Sequence, residues 1–298
     1  MSGNQRWRER NSSYRLPTET IRPRDYEVAE ISSNTEVRAF VETHHYSGSY
    51  PAARRRFGIY RGLELVGVAV FSIPTRPEVL TNVFPGVPES GALDLGRFVL
   101  LDSVPGNGET WFLGRVFELL RRDGVVGVIA FSDPLERRTI DNRMVCPGHV
   151  GTIYQAFNGH YLGQSKPNGL LLLPDGTSFP RRAVSKIRAG DKGWRYAVER
   201  LAEYGAELPR CFGGAPDSDE LRVWLAVWLP RLTRTVNHPG NHKYAWALHK
   251  PTRRMLPPVV PSGYPKRVGG CDRAKRPAAA VRTQGLLWGV DGLGGGGA

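Results

Sequence analysis

Cysteine is scarce in this chain: Cys146, Cys211 and Cys271 are the only three in 298 residues. An odd number of widely spaced cysteines without a Cys-x-x-Cys pair excludes a disulfide framework. The group Cys146-Pro147-Gly148-His149 lacks the second Cys or His pair of a structural zinc site and is set aside for that reason. Long apolar runs are missing too. No stretch of about 18 apolar residues occurs, and no apolar segment follows the charges of Met1 to Arg10, so the expectation is a protein of the cytoplasm without a membrane span or secretory signal. Internal repeats are absent. Acidic residues fall short: 28 Asp and Glu stand against 41 Lys and Arg, for a formal charge of +13.

The excess is unevenly placed. Residues 1–24 carry net +4, residues 253–282 net +7, and the 25–252 stretch between them only +3. Basic flanks around a nearly neutral middle gain affinity for a polyphosphate by releasing its condensed counterions, which makes a nucleic acid the expected partner; a solubilising tail is the bland alternative. Residues 1–24 read as a basic flexible arm and 268–298 as a basic, Gly-rich disordered tail. The catalytic domain is expected over 25–267, with a helical insertion at about 180–232. The composition leaves the oligomeric state open, and a homodimer is one arrangement it allows.

Within that middle, the apolar spacing of Glu36 to Val41 predicts a helix. Phe57–Tyr60 and Leu65–Phe71 predict a hairpin turning at Arg61-Gly62-Leu63-Glu64, and Leu93–Leu101 a further strand. After the turn Asp102–Gly108, residues 110–122 predict a helix closed by Gly124. Val125–Phe131, continuously apolar, predicts a strand buried on both faces. A short helix over 151–157, a strand and turn over 169–176, helices at about 193–204 and 218–229 with Ser218 as N-cap, and a strand over 242–249 complete the reading. Helix, hairpin, strand, turn, helix, buried strand, short helix and strand is the order of an α/β acetyltransferase-like (GNAT) fold: a mixed central sheet flanked by helices. In such a fold a group donor lies along the 93–101 strand, and its phosphates meet the following turn and helix start, where backbone N–H groups favour anions. The turn lacks the usual Gln- or Arg-led glycine pattern.

Three sets of residues can carry chemistry. Asp133 follows the buried strand, at the strand's carboxyl end where open α/β sheets place ligands, and could take a proton from an amine or bind a metal; a turn or cap Asp is the structural alternative. Tyr154 sits on the short helix, where it could protonate a leaving group or simply fill the core. His44-His45-Tyr46-Ser47-Gly48 crowds two imidazoles, a phenol and a hydroxyl into one loop. His45 with Asp133, and with His149 as a third candidate, has the donor set of a His–carboxylate iron site. Arg54, Arg55 and Arg56 before the hairpin, and Arg137 and Arg138 after Asp133, are candidate phosphate contacts against the background of a solvated basic face.

Taken together, the blocks Thr43–Gly48, Phe57–Tyr60, Leu65–Val68, Leu95-Gly96-Arg97-Phe98, Pro105–Thr110, Phe131-Ser132-Asp133, Gly148–Ala156 and Tyr161-Leu162-Gly163 resemble, in order and spacing, the Mom family of phage DNA modification proteins. The likeness is strong over about 40–165 and extends weakly through Asn241–Tyr244 and Tyr264-Pro265-Lys266. It implies a GNAT-like transferase that adds a carbamoylmethyl, acetamido-like group to adenine N6 in DNA and so protects phage DNA from host restriction. It also implies catalytic roles for His45, Tyr46, Asp133 and Tyr154, and donor binding by Arg97 and by Pro105, Gly106, Asn107, Gly108, Glu109 and Thr110. Fe(II) is the cofactor the resemblance suggests, with His45 and Asp133 as ligands, and acetyl-CoA or a glycine-derived molecule is the group donor. Two departures stand out: Gly108 and Thr110 in the turn, and the long Pro134–Val145 connection. An acyltransferase acting on a protein or small-molecule amine would need neither basic flank, and a non-catalytic DNA-binding protein would leave His45, Asp133 and Tyr154 without a task.

Overall fold

The computed structural model describes residues 4–8, 11–15, 19–74, 76, 78–258, 260 and 263–266. The expected tail 268–298, with Cys271, lies outside the described residues. The stretch read as a basic arm contains an antiparallel hairpin, β1 Asn4–Arg8 with β2 Asn11–Arg15. Next come β3 Glu27–Glu30 and the helix α1 Asn34–His44. Ser33 caps α1 by accepting a hydrogen bond from the Glu36 N–H at 3.3 Å, a Ser-x-x-Glu start that satisfies a helix-end donor otherwise lacking a partner.

The hairpin is β4 Ala53–Arg61 and β5 Glu64–Ser72, turning through Gly62 at φ 61°, a conformation that costs glycine nothing. A short helix α2 Glu78–Thr81 precedes β6 Ala92–Leu100. The predicted long helix is α3 Gly108–Arg122, and the buried strand is β7 Gly127–Ser132. The Pro134–Val145 departure folds as its own two-stranded ribbon, β8 Glu136–Arg138 with β9 Met144–Pro147. Then follow α4 Thr152–Ala156 and β10 His160–Gln164.

The insertion is β11 Asn168–Leu172, β12 Ser178–Phe179, α5 Arg181–Ala189, α6 Trp194–Ala202, α7 Ser218–Leu232 and β13 Arg234–His238. Asp217, not Ser218, caps α7: its carboxylate accepts the N–H groups of Asp219 and Glu220. A carboxylate fits that role because the helix start is electropositive. The last strand is β14 His242–Ala247.

Seven strands form the central sheet in the order β10-β14-β7-β6-β5-β4-β3, with β6 and β7 parallel and the other neighbours antiparallel. This is the mixed sheet flanked by helices that the element order predicts. On one face Phe112, Leu113, Val116, Phe117 and Leu120 of α3 pack on Phe57, Phe71 and Val128; on the other, Val37 and Val41 of α1 pack on Val68, Val70 and Val99. The insertion has a separate core around Ile187, Trp194, Leu201 and Leu221.

Two details position the site. First, β6 and β7 pair only from Ala92–Gly127 to Asp94–Ile129 and then part, so the middle of the sheet opens at Asp94. Second, the insertion returns to the sheet through Gly240, whose φ is 98° and whose added Cβ would stand 1.9 Å from the Ser165 carbonyl oxygen. Gly240→Ala is therefore expected to cost about 3 kcal/mol or more, read as a fall in thermal midpoint.

Candidate active site

Arg97 is the hub. Its Nε donates to the Ser49 carbonyl at 2.8 Å, one terminal nitrogen to the Gly96 carbonyl at 2.6 Å and the other to the Ser49 hydroxyl at 2.9 Å. These bonds tie the loop after α1 to the open part of β6, so His45 and Tyr46 are carried to the sheet's centre. The Tyr46 hydroxyl lies 3.4 Å from Nε2 of His149, and the His45 and Tyr46 rings stack with centroids 4.2 Å apart. Gly151, left-handed at φ 74°, turns the chain into α4 and leaves room for Tyr154 and Tyr244, which a Cβ would meet at 2.9 and 2.7 Å. Arg97 exerts its charge on His45, Tyr46, Asp94 and Tyr154. The predicted His45, Tyr46, Arg97 and Tyr154, with His149, thus come together where the sheet opens.

The electrostatics separate these groups. Burial, then the Arg97 cation, then His149 push the His45 pKa well below its usual value. His45 is neutral, and its Nδ1 accepts the Ser47 N–H at 3.1 Å, which leaves the ring proton on Nε2. Burial raises the pKa values of Tyr46 and Tyr154, so both phenols stay protonated and can donate. Arg97 remains the pocket's cation because burial lowers a very high pKa.

Two carboxylates act on these side chains: Asp133, which adds to burial in raising the Tyr46 pKa, and Asp94, which acts on Tyr154 and which sequence reasoning overlooked. Asp94 has its Oδ1 buried without a hydrogen-bond partner, and desolvation outweighs the Arg97 charge to raise its pKa to about 7. A charged residue between the core residues Leu93 and Leu95 was the available signal: a buried carboxylate without a bonded partner is costly and marks sites of function.

Asp133 is differently placed. Its Oδ1 accepts the Leu135 N–H at 2.8 Å and Nε2 of His238 at 3.0 Å, and its Oδ2 accepts Arg137 at 3.0 Å. The Gly240 N–H donates to His238 Nδ1 at 2.9 Å, so Nε2 holds the proton and donates to Asp133. Asp133 therefore fastens the β7 end to the ribbon and to β13. These residues do not fit the suggested iron site. A guanidinium already occupies Oδ2, a cation there would meet its repulsion, and among the described residues no group of three or more His, Cys, Asp or Glu is arranged to hold a metal.

β6 ends at Leu100, three residues and roughly 10 Å beyond Arg97 at 3.3 Å per residue, and the turn expected to hold the donor follows it. Gly108 N–H bonds back to the Pro105 carbonyl at 2.9 Å, Thr110 Oγ1 donates to the Asn107 carbonyl at 3.1 Å, and Glu109 is buried. The Asn107 side chain accepts the Ile21 N–H at 2.6 Å, stapling the turn to the segment before β3. A Cβ on Gly108 would meet Val104 at 2.4 Å, which accounts for glycine at this departure.

The candidate phosphate arginines do not form one grip. Strand alternation separates Arg55, paired with Glu30 and Asp123, from Arg56, which bonds the carbonyls of Ile31 and Ser32. Arg137 and Arg138 bond Asp133 and Glu136. Arg54 and Arg55 together line a depression with Ser90 and Leu93.

A sequence model described as the Mom protein family matches residues 25–207. The methylcarbamoylase Mom of Escherichia phage Mu is 26% identical over 156 residues, covering 51% of this chain and 59% of that protein; the match thus spans less than two thirds of that relative. Among solved structures, a tandem GNAT protein from the clavulanic acid biosynthesis pathway is 8% identical, covering 75% of this chain and 99% of that one at a TM-score of 0.38. An N-acetyltransferase from Staphylococcus aureus Mu50 is 11% identical, covering 75% and 99% at a TM-score of 0.33.

Proposed function

Because the chain belongs to the Mom protein family, we propose that it is a DNA-modifying transferase that places a carbamoylmethyl group on adenine N6, with protection of phage DNA from restriction as the outcome. The observation that supports this most is the convergence of family-pattern residues His45, Tyr46, Arg97 and Tyr154, drawn from three segments, beside a buried carboxylate whose Oδ1 has no hydrogen-bond partner.

The chemistry follows from the groups present. Adenine N6 is a weak nucleophile because its lone pair is delocalised into the ring, and it is reached only after the base leaves the duplex stack. The flipped base enters where β6 and β7 part. As the N6 lone pair forms the new N–C bond, the donor's leaving group departs with the electrons of the broken bond, and the surplus N6 proton passes to Asp94. Tyr154 or Tyr46, both held protonated, donates a hydrogen bond to the leaving group or the carbamoyl oxygen. Arg97 offsets negative charge that develops there. Asp133 shapes the wall and takes no proton in this scheme.

Mass spectrometry of nucleosides from cells expressing the chain tests the reading. The expected result is a deoxyadenosine carrying the mass of a carbamoylmethyl group, reduced roughly 100-fold or more by Arg97→Ala through loss of charge stabilisation. Unmodified DNA together with acetyl transfer to protein or small-molecule amines would establish the conventional acyltransferase instead.

A further inference from the structure

Helix α5 carries four cations and no carboxylate of its own. On α1, α3 and α7 several cations are paired three or four residues along the helix, Arg38 with Glu42, Arg115 and Arg122 with Glu118, Arg222 with Asp219, while Arg121 and Arg231 are not. On α5 only Val184 and Ile187 are buried, and the rest of the helix presents Arg181, Arg182, Ser185, Lys186 and Arg188 without a carboxylate. Lys192 follows, exposed like Arg182 and Arg188. Asp191 is the one acidic residue over 181–193, against five basic ones. Among the described residues none of Arg182, Lys186, Arg188 and Lys192 makes an ion pair.

This arrangement works against the free helix. Arg182 and Lys186 are like charges four apart, each such pair costing a few tenths of a kcal/mol. Arg181 and Arg182 also occupy the first turn, where no acid stands and the helix dipole repels cations. An external polyanion would relieve both effects at once.

The patch is also well placed. Arg181 Nε donates to the Gly169 carbonyl at 3.1 Å, holding the start of α5 against β11. The neighbouring Asn168 pairs with His238, and His238 bonds Asp133 at the pocket wall. Lys166, exposed just before β11, lies on the same route. Nine residues of helix run about 13 Å, over which a duplex presents about eight phosphate charges.

We propose that Arg182, Lys186, Arg188 and Lys192, with Lys166 leading toward the pocket, form a contact surface for the DNA backbone that holds the duplex flanking the extruded base. The inference rests on the DNA-modifying reading and assigns duplex binding to the insertion in addition to the basic flanks. It is tested on the full chain by anisotropy of a fluorescent DNA duplex over a potassium chloride series, comparing wild type with Arg182→Gln/Lys186→Gln/Arg188→Gln. Loss of three phosphate contacts is expected to weaken binding about 10- to 100-fold at low salt and to make the slope of log K against log salt shallower by about two to three. The charge-retaining Arg182→Lys/Arg188→Lys chain keeps most of the wild-type slope, and all three proteins melt together. An unchanged slope in the glutamine variant, with wild type binding normally, overturns the surface alone. A wild-type chain that binds no duplex overturns the DNA reading and this surface with it.

Discussion

Asp94→Asn abolishes base modification while making the protein more stable at alkaline pH. Both effects come from the burial of one carboxylate. The folded-state pKa of Asp94 is raised by desolvation to about 7, whereas an unfolded Asp ionises near 3.9. Between those values the unfolded chain has lost the proton and the folded chain retains it, so stability falls as pH rises from about 4 to about 7 and then levels off. The upper bound on that loss is about 4 kcal/mol, at 1.36 kcal/mol per pKa unit. Asparagine carries no such liability, so the variant lacks this loss and its thermal midpoint exceeds that of wild type at pH 8. Activity responds in the opposite direction. Modification by wild type rises through about pH 7 as Asp94 becomes able to accept the N6 proton, and the variant loses roughly 100- to 10,000-fold, the usual worth of a positioned base. A variant that keeps wild-type turnover and the same pH limb would remove Asp94 from the mechanism.

Asp133→Ala unfolds the chain at markedly lower temperature than wild type. Arg137 and His238 have side chains only 13% and 7% exposed. Deleting their shared carboxylate leaves a buried cation and a buried imidazole donor without their acceptor, and breaking such a pair from one side costs about 3–5 kcal/mol. For a domain of this size that is a fall in Tm on the order of 10 °C. Lost modification in this variant would therefore say little about chemistry by itself. Asp133→Asn separates the two roles: an amide oxygen still accepts from His238, so a large part of the stability returns, and activity returns with it if Asp133 positions the wall. Full stability without activity in Asp133→Asn would instead restore Asp133 as a reacting group.

The sheet and its helices were readable because their periodicities are local. The α3 stripe of Phe112, Leu113, Val116, Phe117 and Leu120, and the turn at Gly62, are written in residues a few positions apart. Helix α5 escaped notice because two buried positions in nine leave a weak stripe, and β3 because four residues with acidic ends carry little pattern. The ordered blocks likewise marked His45, Tyr46, Arg97 and Tyr154. Asp94, Asp133 and His238 show where local reading stops. Asp94 looked like an ordinary charge within a strand, Asp133 like the natural acid at a strand end, and His238 had no pattern around it.

From sequence alone, then, came the family, the mixed α/β class and most residues that line the pocket, since these depend on chain order and short-range spacing. That Asp94 Oδ1 is buried without a hydrogen-bond partner, while Asp133 bonds Leu135, Arg137 and His238, is visible only in three dimensions. A carboxylate's role depends on desolvation and on hydrogen-bond donors that arrive from elsewhere in the chain: for Asp133 one comes from His238, 105 residues away, and for Asp94 Oδ1 none comes.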